Sequence, residues 1–377
     1  MYVKELALRN FRSYEQVTVE FTPGVSALVG SNGQGKTNLV EAIGYVATLG
    51  SHRVATDAPL IRRGAEEATI KVVVAHGDRE IELEIELVAG KANRAKLNGS
   101  PVKRPRDILG YLNVVVFAPE DLALVKGDPS DRRHFLDQTL VALTPRLAGT
   151  RSDLDRVLKQ RNALLKTAQH AARRSTADVM RTLDAWDAQF ASLSAQLVLE
   201  RMGLVDALLP YSESLYQQVS DDRGPFEMRY ECSLPDAPDD RSVETWEAKY
   251  LEALAQRRND EIERGITLVG PHRDELQIDI RGLPVKGYAS HGESWSAALT
   301  LRLASFELLR HDRPGGDPVL ILDDVFAELD ARRRRRLVEL TTSAEQTLVT
   351  AAVAEDVPEQ LDGARFDVGA GEVGRVG

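Results

Sequence analysis

Gly30-Ser31-Asn32-Gly33-Gln34-Gly35-Lys36-Thr37 spells the pattern G-x-x-x-x-G-K-[ST], and the residues around it decide how it folds. The apolar run Val25 to Val29 leads in, and Leu39-Val40-Glu41-Ala42-Ile43 follows at helical spacing. A strand, a glycine-rich loop and a helix in that order turn backbone N–H groups toward one point, where the helix N-terminus adds partial positive charge. All eight residues are therefore candidates to bind a nucleotide phosphate chain. Gly30, Gly33 and Gly35 let the backbone approach an anion, Lys36 neutralises the terminal phosphates, and Thr37 offers a hydroxyl to Mg²⁺, which takes oxygen ligands.

The composition sets limits around that loop. With 377 residues, the chain has room for two domains of ordinary size, at about 100 to 200 residues each. Cys232 is the only cysteine, so no intramolecular disulfide can form and a reducing, cytoplasmic setting is expected. It alternates with Phe226, Met228, Tyr230 and Leu234, a pattern that predicts strand packing. The start, Met1-Tyr2-Val3-Lys4-Glu5-Leu6, reads as a strand and not as a secretory leader. No apolar stretch approaches the ~20 residues needed to span a bilayer, so no membrane association is expected. Lys and Arg number 48 against 58 Asp and Glu, a net charge of −10. Contact with nucleic acid then requires a local basic patch, because screening confines the field to ~8 Å at physiological salt.

The periodicity changes along the chain. Val17 to Phe21 and Ile81 to Leu87 alternate as half-buried strands, Gly77-Asp78 and Asn98-Gly99 mark tight turns, and Val114-Val115-Val116-Phe117 predicts a strand buried on both faces. From about Asp131 the spacing becomes helical. Val179, Leu183, Trp186, Phe190, Leu193 and Leu197 recur at steps of four and three, predicting a helix from about Ala177 to Leu209, before Pro210 and roughly 50 Å long. Fewer than three clean heptads favour packing in a compact bundle over a dimeric coiled coil. Strands return after Arg264 with Thr267-Leu268-Val269-Gly270 and Leu276 to Ile280. The expected division is a first half of an α/β domain over 1–125, a mainly helical insertion over 126–264, and the second half over 265–377.

That second half completes the nucleotide site. Val319-Leu320-Ile321-Leu322 is an apolar strand ending in Asp323 and Asp324. Beside a phosphate loop, Asp323 can hold Mg²⁺ opposite Thr37, and Asp324 can orient or deprotonate the attacking water. Thr37 and Asp323 stand 286 residues apart, a separation that favours a split ATPase head. Between them, Ser290-His291-Gly292-Glu293-Ser294 opens a helix patterned by Trp295, Leu299, Leu303, Phe306 and Leu309. Ser290 fits two roles: an ordinary N-cap, or a second anion-binding helix end that closes on nucleotide held by another copy of the chain.

Several segments together resemble the RecF family of bacterial recombination and gap-repair proteins. They are Leu6 to Tyr14, Gly30 to Thr37, Ser51-His52-Arg53, Phe117 to Asp121, Arg132-Arg133 with Phe135-Leu136-Asp137, Gln160-Arg161-Asn162, Gly270-Pro271-His272-Arg273-Asp274 and Leu322 to Asp330. The resemblance covers nearly the whole chain. It implies an ATPase head of the ABC type with mixed β-sheets, related to SMC proteins, that dimerises on ATP and binds DNA. It further implies slow, DNA-stimulated hydrolysis of ATP with Mg²⁺, and recognition of gapped DNA at single-strand/double-strand junctions. With RecR and RecO as partners, such a protein helps RecA load in recombinational repair, replication restart and the SOS response. Ser290, Gly292 and Glu293 then correspond to a signature motif acting in trans, and Asp330 to the D-loop at the dimer interface.

The chain also departs from transporter-type ATPases. Asp324 stands where they carry glutamate, one methylene shorter, and slow turnover is the expected consequence. Ala351-Ala352 follows Gln346 to Thr350, with no switch histidine there. Near Pro119, Glu120 and Asp121 are the candidates for the position of the transporter glutamine. For DNA, Arg332 to Arg336 is the densest basic run, yet consecutive helical residues point around the circumference, so ion pairing is favoured over direct phosphate contact. Lys103-Arg104, Arg106 and Arg132-Arg133 are further candidates. A transporter ATPase subunit, an SMC-like tether and a nuclease-coupled ATPase are the alternatives. The long insertion and the Gly-Pro-His-Arg-Asp segment fit the first poorly, about 140 residues leave no room for the arms of the second, and no separate carboxylate or histidine cluster supports the third.

Overall fold

The computed structural model describes residues 1–170, 176–220, 224–312 and 316–376. The chain forms two compact units, one of Met1–Lys126, Pro210–Phe226 and Val285–Gly377, the other of Gly127–Leu209 and Glu227–Pro284. The inserted unit thus runs on to Pro284, past the expected boundary at 264, because the strand Glu275–Ile280 joins a three-stranded sheet with Phe226–Glu231 and Leu283–Pro284.

In the first unit, two six-stranded sheets are built from the predicted strands. One has the spatial order Glu372–Val376, Ala364–Gly369, Gly24–Val29, Gln346–Ala351, Val319–Asp323, Val114–Phe117. Its neighbours run parallel except for the outer hairpin of Ala364–Gly369 with Glu372–Val376. The strand that precedes the phosphate loop and the strand that ends in Asp323 are separated only by Gln346–Ala351, which carries both second-half and first-half chemistry to the same C-terminal edge. Val114–Phe117 lies at the sheet's edge, with Val115 and Phe117 buried and their neighbours half-buried, and so differs from the expectation of burial on both faces.

The second sheet is antiparallel, in the order Tyr14–Glu20, Tyr2–Phe11, Glu67–His76, Arg79–Val88, Arg94–Leu97, Ser100–Pro101. Its turns fall where expected, with His76 paired to Arg79 around Gly77-Asp78 and Leu97 to Ser100 around Asn98-Gly99. The helix Lys36–Thr48 touches strands of both sheets. Leu39, Val40, Ala42, Ile43, Tyr45 and Val46 join one core with Leu6, Leu8, Ile70, Ile85, Ile321 and Leu348. Each such Leu, Ile or Val contributes about 1.5–3 kcal/mol by leaving water, so the start of that helix is held by its own apolar face.

The second unit contains the helices Pro129–Leu143, Leu147–His170 and Val243–Arg264 and most of Thr176–Val219. Leu183, Phe190 and Leu197 are buried, as expected for bundle packing, while the side chain of Val179 lies outside the described ones. The helix does not stop before Pro210 but continues to Val219. A proline loses one backbone hydrogen bond, and buried Leu204, Val205 and Leu208 before it and Leu215, Tyr216 and Val219 after it keep the two sides helical. Cys232 lies just past the strand Phe226–Glu231, not within it, and burial pushes its thiol up to about 12.

Thr267 to Gly270 is a loop and not a strand. Side chains replace the ladder there: Thr267 N donates to Asn162 Oδ1 at 2.7 Å, Leu268 N to Glu261 Oε1 at 2.7 Å, and Arg273 donates to the Thr267 carbonyl at 2.8 and 3.0 Å. Arg161, fully buried, spans Asp187 at 2.7 Å, Glu261 at 2.6 Å and Thr267 Oγ1 at 2.8 Å. The Gln-Arg-Asn and Gly-Pro-His-Arg-Asp segments thus close the polar centre of this unit.

Candidate nucleotide site

The phosphate loop needs its glycines for stated reasons. A Cβ on Gly30 would lie 2.1 Å from the carbonyl oxygen of Val368, so no larger residue fits beside the neighbouring strand. Gly35 has φ 109° and faces the ring of Tyr14, whose hydroxyl would stand 2.6 Å from an added Cβ. Gln34 fixes the loop's far side by accepting a hydrogen bond from Ala370 N at 2.8 Å. Ser31, Asn32 and Gly33 are exposed at its tip. Lys36 is buried and folds back to donate to the carbonyls of Gly30 at 2.7 Å and Ser31 at 3.4 Å. The ammonium is hydrogen bonded to loop carbonyls, lies close enough to the Asp324 carboxylate to lower its proton affinity, and can exchange those carbonyls for phosphate oxygens.

Thr37 Oγ1 donates to Asp323 Oδ1 at 3.0 Å, so the fold brings together the two expected Mg²⁺ ligands. Thr350 donates to the same oxygen at 2.6 Å, and its hydroxyl in turn accepts from Asp324 N at 2.9 Å. Thr350 therefore orients both aspartates. Its only sequence signal is a hydroxyl at the end of an apolar strand, too common a pattern to single out. Asp324 adopts φ 51°, a left-handed conformation that turns the chain just after the strand. Burial, and then the adjacent Asp323 carboxylate, hold the Asp324 carboxyl above its ordinary value. A carboxylate with raised proton affinity is better suited to accept a proton from water.

The donor set fits magnesium. Thr37 and Asp323 supply hard oxygen ligands, and among the described residues no group of three or more His, Cys, Asp or Glu forms an all-protein metal cage. Mg²⁺ is characteristically held by one or two carboxylates together with substrate phosphates and water.

Beside this site lies an arrangement that motif reading did not resolve. Glu41 is fully buried and gripped by Arg12 at 2.9 and 2.6 Å. Burial pushes its carboxyl up, but hydrogen bonds from Arg12 and Ser51 outweigh this and hold it below the usual range. The Ser51-His52-Arg53 turn is anchored to Glu41, and His52 Nε2 comes within 3.9 Å of Asp323 Oδ2.

The other candidates divide into groups. Ser290 and Glu293 form a reciprocal cap: Glu293 N donates to Ser290 Oγ at 3.3 Å and Ser290 N to Glu293 Oε2 at 2.8 Å. Gly292, next in the helix His291–Asp312, is covered by Arg333, whose guanidinium would be 2.9 Å from a Cβ there. Arg333 donates to Ser296 Oγ at 2.9 Å and pairs with Asp330, which caps the helix Ala331–Thr341 through Arg332 N and Arg333 N. The expected signature and D-loop residues are therefore joined by one arginine. Arg334 donates to the Phe326 carbonyl and Arg336 to Glu339, so much of the basic run is tied within the protein. Asp121 is buried and takes Arg302 at 2.6 Å, whereas Glu120 is exposed. In the second unit Arg132 and Arg133 bind Glu275 and the Asp274 carbonyl.

Comparison with known proteins agrees with this architecture. The family described as RecF/RecN/SMC N terminal domain matches residues 2–364. A DNA replication and repair protein RecF from Beutenbergia cavernae is 56% identical over 396 residues, covering 100% of both chains. The protein of that name from Streptomyces avermitilis is 55% identical over 380 residues, again covering 100% of both. Among solved structures, the recombination mediator protein RecF-ATP in the RecFOR pathway superposes with a TM-score of 0.90 at 28% identity, covering 100% of this chain and 98% of that one. An Smc head domain from Pyrococcus furiosus shares the fold, with a TM-score of 0.54 at 18% identity and coverage of 100% and 96%.

Proposed function

The chain belongs to the RecF family of DNA replication and repair proteins, and on that premise we propose that it is an ATP-gated DNA-binding dimer with slow ATP hydrolysis. The observation that carries the nucleotide part is the 3.0 Å contact of Thr37 with Asp323, made beside a phosphate loop whose buried Lys36 hydrogen bonds to the carbonyls of Gly30 and Ser31. In this reading Lys36 leaves the Gly30 carbonyl for the β- and γ-phosphates, while the backbone N–H groups of 30–37 surround the chain of phosphates. Thr37 and Asp323 hold Mg²⁺, which supplies charge neutralisation on the triphosphate. Asp324 accepts a proton from the attacking water, its position set by the Thr350 hydroxyl.

Dimerisation uses the second group of residues. Ser290 and Gly292 at the start of their helix close on nucleotide in the partner head, and Glu293 keeps that start ordered through the cap. Asp330 meets the other head beside it. Gapped DNA as the target, DNA stimulation of hydrolysis, and RecR and RecO as partners follow from family membership. Domain roles follow the same logic, with the unit of Met1–Lys126, Pro210–Phe226 and Val285–Gly377 contributing the ATPase head and the unit of Gly127–Leu209 and Glu227–Pro284 the helical insertion. Among the described residues no helix is long and apolar enough to cross a membrane, and we assign the protein to the cytoplasm on the basis of its DNA target.

The test is the solution mass of the purified chain with and without ATP–Mg²⁺, in the presence and absence of gapped DNA. A monomer that becomes a dimer only with ATP, and then binds gapped DNA more tightly, is the expected result. A mass indifferent to nucleotide would remove the dimer and the trans role of Ser290.

A further inference from the structure

We propose that His52 belongs to the nucleotide site, where its Nε2 hydrogen bonds to an oxygen of the magnesium–triphosphate assembly held by Lys36, Thr37 and Asp323. The inference rests on the ATP-binding reading above and extends it to a residue outside the loop and strand motifs. Nε2 is buried and has no hydrogen-bond partner among the described residues. It stands 3.9 Å from Asp323 Oδ2. That distance is too long for a direct hydrogen bond; a water of the cation's shell about 2.8 Å from each can accept from Nε2 and donate to Oδ2, whereas a phosphate oxygen accepts from Nε2 alone. A buried ring nitrogen with unspent hydrogen-bonding capacity costs free energy, and an oxygen delivered with the nucleotide removes that cost.

The imidazole is held in place by the same helix that carries the phosphate-binding residues. Ser51 Oγ donates to Glu41 Oε1 at 2.5 Å and accepts from Arg53 N at 2.9 Å and Val54 N at 3.1 Å. Arg53 reaches Asn38 Oδ1 at 3.3 Å and Glu41 Oε2 at 3.5 Å. Asn38 and Glu41 both lie on the helix Lys36–Thr48, so His52 is anchored on either side to the element that begins with Lys36 and Thr37. A loop merely passing the site would not need its flanking residues fastened to one buried carboxylate. The end of the strand Gln346–Ala351 offers alanines where a histidine is otherwise sought. An imidazole instead reaches Asp323 from the loop that follows the first helix.

The experiment is titration of ATPγS into the purified full chain, once with Mg²⁺ and once with EDTA, for wild type, His52→Ala, His52→Gln and Lys36→Ala. The unfolding temperature of each is recorded without nucleotide. His52→Ala is expected to weaken ATPγS binding about tenfold, the loss of one good hydrogen bond. His52→Gln, whose amide extends in the same direction, should recover part of the loss, and neither variant should unfold at a lower temperature without nucleotide. A deficit confined to the Mg²⁺ titration assigns the contact to the cation's water shell, and a deficit in both titrations assigns it to a phosphate oxygen. Wild-type affinity in His52→Ala, or a deficit matched by a lower nucleotide-free unfolding temperature, would overturn the inference. If wild type itself fails to bind ATPγS, or Lys36→Ala binds as well as wild type, the reading of the nucleotide site fails instead.

Discussion

Two clusters of buried charge, one in each unit, use similar residues in opposite ways. Around Arg161, carboxylates are saturated: Glu261 accepts from Arg161 and from Leu268 N, while Asp187 accepts from Arg161 and Arg258 at 2.7 and 2.6 Å. Nearby, Arg201 binds both oxygens of Asp137, at 2.8 and 3.0 Å. Around Asp323, by contrast, Lys36 rests on carbonyl oxygens, His52 Nε2 has no hydrogen-bond partner among the described residues, and Asp324 is held in a raised-pKa position beside another carboxylate. A saturated cluster holds a fold together. One that leaves hydrogen-bonding capacity unspent contributes less to the fold, and it gains from a ligand.

The largest effect should come from breaking the saturated cluster. Arg161→Ala leaves Glu261 buried without its cation and should destabilise the chain by about 3–5 kcal/mol, read as a lower urea midpoint. An unchanged midpoint would mean that the cluster is not what holds the second unit together. Asp324→Asn should have the opposite profile, with turnover falling about a thousandfold, within the range for a lost general base, while ATP still supports the dimer. Single-turnover hydrolysis and solution mass on the same sample separate the two.

Acidity sharpens this contrast. The folded-state pKa of Asp324 is above its unfolded value, so its ionised form destabilises the fold at neutral pH, and that penalty disappears as pH falls through the raised pKa toward 3.8. Asp324→Asn should therefore be the more stable protein at neutral pH, with the advantage gone in acid. Wild-type turnover should decline on its acid side above the ordinary aspartate range. A pH–stability series on the two proteins that runs parallel throughout would count against a perturbed Asp324.

Lys36→Ala removes the cation proposed to meet the phosphates. ATP affinity should drop roughly 10- to 150-fold, corresponding to about 1.5–3 kcal/mol, while the unfolding temperature without ATP stays close to that of wild type. Calorimetric titration distinguishes this from general loss of structure. The smallest effect is expected from Arg335→Ala combined with Arg336→Ala on an exposed helix face, within about 0.5 kcal/mol of wild-type stability. The same variant probes the DNA patch: if these arginines meet phosphates, the salt dependence of gapped-DNA binding should become shallower.

Much of the nucleotide half was legible because its signals are local. The G-x-x-x-x-G-K-[ST] pattern, the strand before it and the apolar run ending in Asp323 each declare a backbone geometry within a few residues. The tight turns at Gly77 and Asn98 were legible for the same reason. Errors arose where neighbours decide the outcome. Pro210 did not end its helix because apolar burial on both sides outweighs one missing hydrogen bond, and Thr267 to Gly270 is not a strand because side chains of Asn162, Glu261 and Arg273 take its backbone groups.

By itself the sequence determined a phosphate loop between a strand and a helix, an acidic strand end far along the chain, and an inserted helical segment, since glycine dihedrals and side-chain periodicity are properties of short stretches. Tertiary structure alone decided that Thr350 orients both aspartates, that Arg333 joins Asp330 to the Gly292 helix, and that His52 faces Asp323. Those contacts bridge segments hundreds of residues apart or depend on the direction of a single side chain. Neither composition nor spacing specifies such relations, because they exist only once the parallel sheet has brought its strand ends to one edge.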